Sequence, residues 1–140
     1  MVLMKIYFAG SIRGGRDDAD FYLAIINYLR DFGEVLTEHV GDSKLTSVGE
    51  QKNSSFIHDR DVNWIKESDV IVAEVTMPSL GVGYEIAKAT DLKKRVLCLF
   101  REDSGRSLSA MISGCKDLDV VNYLDLASVK KEIKKFFENI

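Results

Sequence analysis

The sequence predicts a single α/β domain with a five-stranded parallel sheet in the order 2-1-3-4-5 and helices on both faces. Strand-like and helix-like patterns alternate along the whole chain, which is typical of parallel strands joined by right-handed helical crossovers. The 140 residues, with 46% hydrophobic and 29% charged residues, suit one globular domain spanning 1–140. In this strand order, a ligand crevice is expected where the first and third strands part.

The elements are predicted from apolar periodicity and from the glycine, proline and polar runs between them. In the first half these are a strand at about 4–10, a helix at about 17–32, a short strand at about 34–36, and a helix at about 55–67 capped by Ser54 or Ser55. In the second half they are a strand at 69–74, a helix at about 82–93, a strand at 95–100, a short helix near 108–113, a strand at about 119–123 and a helix at 126–139. The polar segment 37–54 is long for a connection in so small a domain, which indicates a mobile or functional loop.

Charge and composition narrow the possible partners. A net charge of −3 and a pI near 5.4, without a basic face, argue against a nucleic-acid polymer. No stretch is long enough to span a membrane, and two histidines with two distant cysteines give no metal-ligand cluster. The two cysteines form no disulfide framework, which suits a reducing cytosol. We therefore expect a cytoplasmic protein without a metal or other cofactor.

Glu85 is a candidate catalytic carboxylate. It follows Gly81 and Gly83 shortly after a predicted buried strand that ends at Glu74. The two glycines leave room for a substrate near the backbone, and the positive end of the helix dipole would favour the ionised, nucleophilic carboxylate. The structural alternative is a helix-opening glutamate that only complements the dipole.

The loop after the first strand has the composition of an anion site. Gly10 and Ser11 are followed by Arg13, two further glycines and Arg16, so that backbone amides, a hydroxyl and two guanidinium groups are available for a phosphate. The spacing matches neither the dinucleotide fingerprint nor the P-loop. An ordinary glycine-rich strand-to-helix turn is the structural alternative.

A phosphate site beside a carboxylate suggests cleavage of a glycosidic bond next to a phosphorylated sugar. A second acid is needed near the leaving group, and Asp61 is the best candidate because it shares a predicted helix with the apolar anchors Trp64 and Ile65. Tyr7, on the first strand, could orient Glu85. The structural alternatives are an exposed helix aspartate for Asp61 and a core or rim tyrosine for Tyr7.

Four stretches, in order along nearly the whole chain, resemble the 2′-deoxynucleoside 5′-phosphate N-hydrolases of the nucleoside 2-deoxyribosyltransferase superfamily. These are YFAGSIRGGR (7–16), LTEHV (36–40), AEVTMPSLGVGYE (73–85) and SGRSLSAMI (104–112). The resemblance implies hydrolysis of the N-glycosidic bond of a deoxynucleoside monophosphate. The free base and 2-deoxyribose 5-phosphate would be released through a covalent deoxyribosyl intermediate on Glu85.

The resemblance also implies roles for individual residues. Asp61 would act near the leaving base and Tyr7 would position the nucleophile. Ser11, Arg13 and Ser79 would contact the 5′-phosphate, Tyr22 and His39 would line the pocket, and Ser109 would come from the neighbouring subunit of a homodimer. The full implied substrate-binding set is Tyr7, Phe8, Ala9, Gly10, Ser11, Ile12, Arg13, Tyr22, His39, Ser79, Gly81 and Glu85, with Ser109, Ala110 and Met111 from the neighbouring subunit.

Some choices remain open at this point. Ile12 is a candidate wall against a 2′-hydroxyl, and without a partner subunit Ser109 would be a helix cap. A nucleoside 2-deoxyribosyltransferase would pass the sugar to another base instead of water, whereas a non-catalytic nucleotide-binding module would need only the phosphate loop. The preferred base is not predicted, because Gly41–Ser55 departs from the family in composition.

Overall fold

A five-stranded parallel sheet organises the computed structural model, which describes residues 3–11, 18–37 and 52–140. The strand order is β2-β1-β3-β4-β5, so the predicted order is confirmed. β1 and β3 pair over four residues, from Ile6 opposite Val70 to Ala9 opposite Ala73. The strands are β1 (Lys5–Ala9), β2 (Glu34–Val35), β3 (Val70–Glu74), β4 (Arg95–Arg101) and β5 (Asp119–Tyr123).

Helices link the strands, as predicted, although several boundaries differ. They are α1 (Ala19–Leu29), α2 (Ser54–Glu67), α3 (Leu80–Asp91), α4 (Ala110–Ser113) and α5 (Leu126–Glu138), and a 3-10 turn spans Glu102–Ser104. The predicted helix at 17–32 is shorter because the Asp31 and Phe32 amides donate to carbonyls three residues back, which tightens the chain after Leu29.

The two faces of the sheet have separate hydrophobic cores. Successive strand side chains point to opposite faces, so Ile6 and Phe8 of β1 pack with α1 and α5, whereas Tyr7 and Ala9 face α2 and α3. This alternation fixes which residues of β1 can contact α3. Tyr7 is therefore directed toward the helix that carries Glu85.

Two helix starts differ from the predictions. Asn53 caps α2 by accepting the Phe56 amide at 2.8 Å, so the predicted cap at Ser54 or Ser55 is wrong. Ser79 caps α3, and its Oγ accepts the Val82 amide at 3.3 Å. As a result α3 begins at Leu80 instead of 82, and Gly81 and Gly83 lie within its opening turns instead of ahead of them.

The two cysteines occupy different environments. Cys98 lies in β4 and is fully buried, as predicted, and this burial raises the pKa of its thiol to about 12. Cys115 follows α4 and is partly exposed. Within the described ranges, no helix has the length and apolar character needed to cross a membrane.

Candidate active site

Tyr7 and Glu85 form a hydrogen-bonded pair between β1 and α3. The Tyr7 hydroxyl donates to Oε2 of Glu85, although 78 positions separate the two residues in the sequence. Tyr7 is 1% exposed and the Glu85 residue is partly exposed. The predicted contact between this strand tyrosine and the candidate nucleophile is confirmed.

The structure favours protonated Glu85, whereas the helix position alone predicted the ionised form. Burial raises the pKa of Glu85 to about 8, so the carboxyl group is mostly protonated at neutral pH. Glu85 lies in the second turn of α3, beyond the first turn where the helix dipole acts strongly. The hydrogen bond from Tyr7 favours the ionised form, but the loss of hydration on burial dominates.

Asp61 lies on α2 beside the candidate nucleophile's helix. Its Oδ1 accepts from Nε and Nη2 of Arg60, both at 2.9 Å, and the Arg60 guanidinium stacks over Trp64 at 4.7 Å. The two helices touch where Nε2 of His58 meets the Tyr84 hydroxyl at 2.9 Å. Asp61 is one helical turn after His58, and Glu85 directly follows Tyr84, so both candidate acids lie close to the contact between α2 and α3.

The start of the candidate phosphate loop is tightly packed. Ser11 is fully buried, and its amide donates to the Tyr22 hydroxyl at 3.2 Å. A Cβ at Gly10 would come within 3.0 Å of the Tyr22 ring and 3.2 Å of the Phe8 ring, so a larger residue here would force these rings to shift. Ile12 and Arg13 lie outside the described residues, as does His39, and their roles stay predictions.

Phe8 and Tyr22 pack next to Gly10, and the Tyr22 hydroxyl also bonds to Ser11. Phe8 is 0% and Tyr22 is 1% exposed, and their rings meet edge to face at a centroid distance of 5.7 Å. The Phe8 amide also donates to Oγ1 of Thr37 at 2.7 Å. Both side chains therefore belong to the core on the α1 and α5 face, and their predicted contacts with a nucleotide remain predictions. Ala9, on the opposite face, is 2% exposed.

An apolar groove separates α3 from α4 and encloses about 620 Å³. Ser79 lines one wall of this α3–α4 groove, and Ser109 with Met111 lines the other. Ser109 caps α4 by accepting the Met111 amide at 3.2 Å, which confirms its alternative role as a helix cap. Tyr7 and Glu85 do not line this groove, and neither do Gly81 and Ala110, which are both exposed.

A second tyrosine–glutamate pair was missed by the sequence analysis. Glu74, at the end of β3, is 1% exposed and accepts the Thr76 amide at 2.8 Å, the Thr76 hydroxyl at 2.9 Å and the Tyr123 hydroxyl. Burial raises the pKa of Glu74. The available signal was a carboxylate that closes the otherwise apolar strand VIVAE.

The architecture and the paired side chains define a class of protein. It is a doubly wound α/β domain whose candidate active site, Tyr7 with Glu85, bridges β1 and α3. The sequence model of the nucleoside 2-deoxyribosyltransferase family matches residues 6–111. The chain belongs to that family.

Two relatives and two solved structures illustrate the similarity. A pufferfish (Tetraodon nigroviridis) protein named 5-hydroxymethyl-dUMP N-hydrolase is 54% identical over 140 residues, covering 97% of this chain and 99% of its own. A rat (Rattus norvegicus) protein of the same name is 50% identical over 138 residues, covering 96% and 85%.

The solved structures are more distant in sequence and show the fold alone. The Clostridium botulinum CMP N-glycosidase BcmB superposes with a TM-score of 0.69 at 16% identity, covering 94% of this chain and 98% of its own. The protein BlsM superposes with a TM-score of 0.74 at 21% identity, covering 98% and 91%.

Proposed function

We propose that the protein hydrolyses the N-glycosidic bond of 2′-deoxynucleoside 5′-monophosphates and releases the free base and 2-deoxyribose 5-phosphate. The observation that carries this proposal is the Tyr7–Glu85 pair between β1 and α3 in a chain from the nucleoside 2-deoxyribosyltransferase family. The names of the relatives at 54% and 50% identity support it and make 5-hydroxymethyl-dUMP the first substrate to test.

In the proposed mechanism, the ionised carboxylate of Glu85 attacks C1′ of the deoxyribose as the bond to the base breaks. The departing base takes a proton from solvent while Asp61 acts beside it, and Tyr7 holds the attacking carboxylate through its hydroxyl. Water then cleaves the deoxyribosyl ester, which restores the Glu85 carboxylate and gives 2-deoxyribose 5-phosphate. The loop from Gly10 to Arg13, together with Ser79, would hold the phosphate.

The proposal includes a homodimer. The side chains of Leu80 and Met111, at the rim of the α3–α4 groove, are 97% and 83% exposed. Large apolar side chains beside an apolar groove are a common feature of an oligomer interface. A second copy would cover them and bring its Ser109, Ala110 and Met111 to the neighbouring phosphate site. A cytoplasmic location suits the two free cysteines.

The direct test measures base release from 5-hydroxymethyl-dUMP and from the four common deoxynucleoside monophosphates. The corresponding free deoxynucleosides are the matched controls, because they lack only the phosphate. We expect kcat/KM at least about a hundredfold higher for the monophosphate, since charged hydrogen bonds to phosphate are strong. Equal values for the two forms would contradict the phosphate site, and no base release from any substrate would contradict the hydrolase.

Base exchange is the second candidate, because the family as a whole is described as nucleoside 2-deoxyribosyltransferases. Adding an excess of a different free base to the assay separates the two reactions. A hydrolase yields 2-deoxyribose 5-phosphate in equal amount to the released base. Accumulation of a new nucleotide carrying the added base would establish transfer instead.

Subunit complementation tests the homodimer. We would mix Glu85→Gln with Ser109→Ala, each nearly inactive or impaired alone, and allow the subunits to exchange. In a mixed dimer, one site carries both changes and the other carries neither, so activity should partly return. A monomer by sedimentation, or no recovery despite demonstrated exchange, would contradict the shared site.

A further inference from the structure

We propose that a polar network behind the turn between β3 and α3 positions Ser79, a member of the candidate phosphate site, and that the network's members are positioning residues for phosphate binding. The Glu74 network consists of Asp18, Glu74, Thr76, Arg101 and Tyr123. This inference rests on the proposed function, because the phosphate site itself is part of that proposal. The network lies on the sheet face opposite the Tyr7–Glu85 pair.

The first connection fixes the turn between β3 and α3. Glu74 accepts both the amide and the hydroxyl of Thr76, at 2.8 and 2.9 Å. The Thr76 hydroxyl oxygen in turn accepts the Arg101 amide at 2.9 Å. Thr76 is therefore held from both sides, three residues before Ser79, and it cannot move without breaking these bonds.

The second connection reaches the loop that follows β1. Nη2 of Arg101 contacts Oδ1 of Asp18 at 3.0 Å, and the guanidinium lies 5.4 Å from the centre of the Phe21 ring. Asp18 directly precedes α1, at the far end of the segment that begins with Gly10 and Ser11. Arg101 thus joins Asp18, at the start of α1, to the turn that carries Ser79.

The third connection anchors the network to β5. The Tyr123 hydroxyl donates to Glu74, and the Tyr123 ring packs against Phe21 at a centroid distance of 5.6 Å. Glu74, Thr76 and Tyr123 are each no more than 2% exposed. Burying so many polar groups is costly unless all are bonded, and an apolar cluster would be cheaper. A fully bonded network instead fixes one geometry, which is what the exact placement of Ser79 requires.

A matched pair of variants tests this inference. Thr76→Val keeps the shape but removes the hydroxyl that joins Glu74 to Arg101, whereas Thr76→Ser keeps the hydroxyl. Asp18→Asn is a second, partly exposed variant that weakens the ion pair and leaves the buried bonds intact. Steady-state kinetics and calorimetric binding of 2-deoxyribose 5-phosphate would be measured at a temperature where circular dichroism shows every variant folded.

We expect Thr76→Val to raise KM and weaken binding of 2-deoxyribose 5-phosphate by about tenfold each, with kcat within about threefold of wild type. Thr76→Ser should restore both values, and Asp18→Asn should shift them in the same direction as Thr76→Val. Unchanged KM and binding in folded Thr76→Val and Asp18→Asn would overturn the inference, because a purely structural network would alter only thermal stability.

The wild-type protein separates failure of this inference from failure of the proposed function. If it releases base and Thr76→Val behaves identically, the positioning role alone is wrong. If it releases no base, but Thr76→Val weakens binding of 2-deoxyribose 5-phosphate, the positioning role stands and the hydrolase is wrong. If it neither releases base nor binds 2-deoxyribose 5-phosphate, both are overturned.

Discussion

The two tyrosine–glutamate pairs consist of the same two residue types but lie on opposite faces of one sheet. In the first, Tyr7 from β1 donates to Glu85 on α3, and in the second, Tyr123 from β5 donates to Glu74 at the end of β3. Glu74 has two further hydrogen bonds, both from Thr76, and is 1% exposed. Within the described part of the chain, Tyr7 is the hydrogen-bond partner of Glu85, which is partly exposed.

This difference separates a structural carboxylate from a candidate reactive one. The lone pairs of Glu74 are directed at protein donors, so an attack on an external atom would require breaking the network. Glu85 keeps capacity for another partner and retains some exposure. Burial raises the pKa of both groups, so the raised pKa alone does not identify the catalytic one. Hydrogen-bond saturation distinguishes them.

The largest expected contrast is in activity. Glu85→Gln keeps the size and the Tyr7 contact but cannot form the glycosyl ester, so base release should fall by about a thousandfold or more. Glu74→Gln should keep kcat within about tenfold, because its carboxylate does not touch the reacting atoms. Glu102→Gln, on the exposed 3-10 turn, is the matched control and should behave like wild type. A Glu85→Gln variant with more than a tenth of wild-type activity would show that another residue is the nucleophile.

Stability should show the reverse contrast. Glu74→Ala leaves the Thr76 amide, the Thr76 hydroxyl and the Tyr123 hydroxyl without their acceptor, which should lower the free energy of unfolding by about 3 kcal/mol. Glu85→Ala removes one such bond and also relieves the burial of a carboxyl group, so its loss should be smaller. Urea denaturation at pH 7 measures both. A larger loss for Glu85→Ala would reverse the assignment of the two roles.

Substitution of the two tyrosines should have smaller effects than substitution of the glutamates. Tyr7→Phe removes the hydroxyl that holds the candidate nucleophile, so kcat should fall by roughly tenfold to a hundredfold with little change in KM. Tyr123→Phe removes the corresponding bond to Glu74 and should lower stability by about 1 kcal/mol while kcat stays within about threefold. Equal losses of kcat in the two variants would mean that the pairs do not differ in function.

The pH dependence of the rate follows from the Glu85 pKa. Burial raises this pKa to about 8, and only the ionised form attacks C1′. Below that pH, kcat/KM should therefore increase about tenfold per pH unit, and it should level off above it. The profile of kcat/KM from pH 5 to 9 reports the pKa in the free protein. A flat profile from pH 6 to 9 would contradict a protonated Glu85 at neutral pH.

The same pKa also makes stability depend on pH. Folded Glu85 holds its proton up to about pH 8, whereas the unfolded group loses it near 4.5. Between these values unfolding releases a proton, so the stability contributed by this site is full below pH 4.5 and is lost as the pH rises through 8. The Glu85→Gln side chain does not titrate. The melting temperature of this variant should therefore rise relative to that of wild type from pH 5 to 8. A melting-temperature difference that stays constant from pH 5 to 8 would contradict the raised pKa of Glu85.

The sequence predicted most of the fold because its signals are local. Alternating strand and helix patterns predicted the strand order 2-1-3-4-5, which the structure confirms. The two glycines before Glu85 indicated a helix that carries this residue, and α3 does so. The contact of Tyr7 with Glu85 was also predicted, since adjacent β1 and β3 bring the segment after β3 close to β1. Ser79 as the α3 cap was readable from its residue type, but the glycines after it favoured a later start.

Other features depend on contacts that no local pattern records. The Glu74 network joins residues from 18 to 123, and its partners are set only when β3, β4 and β5 are assembled. The raised pKa of Glu85 arises from the side chains that surround it in the folded chain, which outweigh the dipole argued from its position in the helix. Burial and non-local bonding decide these features.

The unequal cysteines provide a reporter for the α3–α4 groove. The thiol of Cys98 is fully buried, and with a pKa near 12 it stays protonated, which makes it a poor nucleophile toward maleimide reagents at pH 7. Cys115 is partly exposed and lines the groove. An environment-sensitive fluorophore attached there would change its emission when the groove is covered. Subunit association could then be followed by dilution in the unmutated protein.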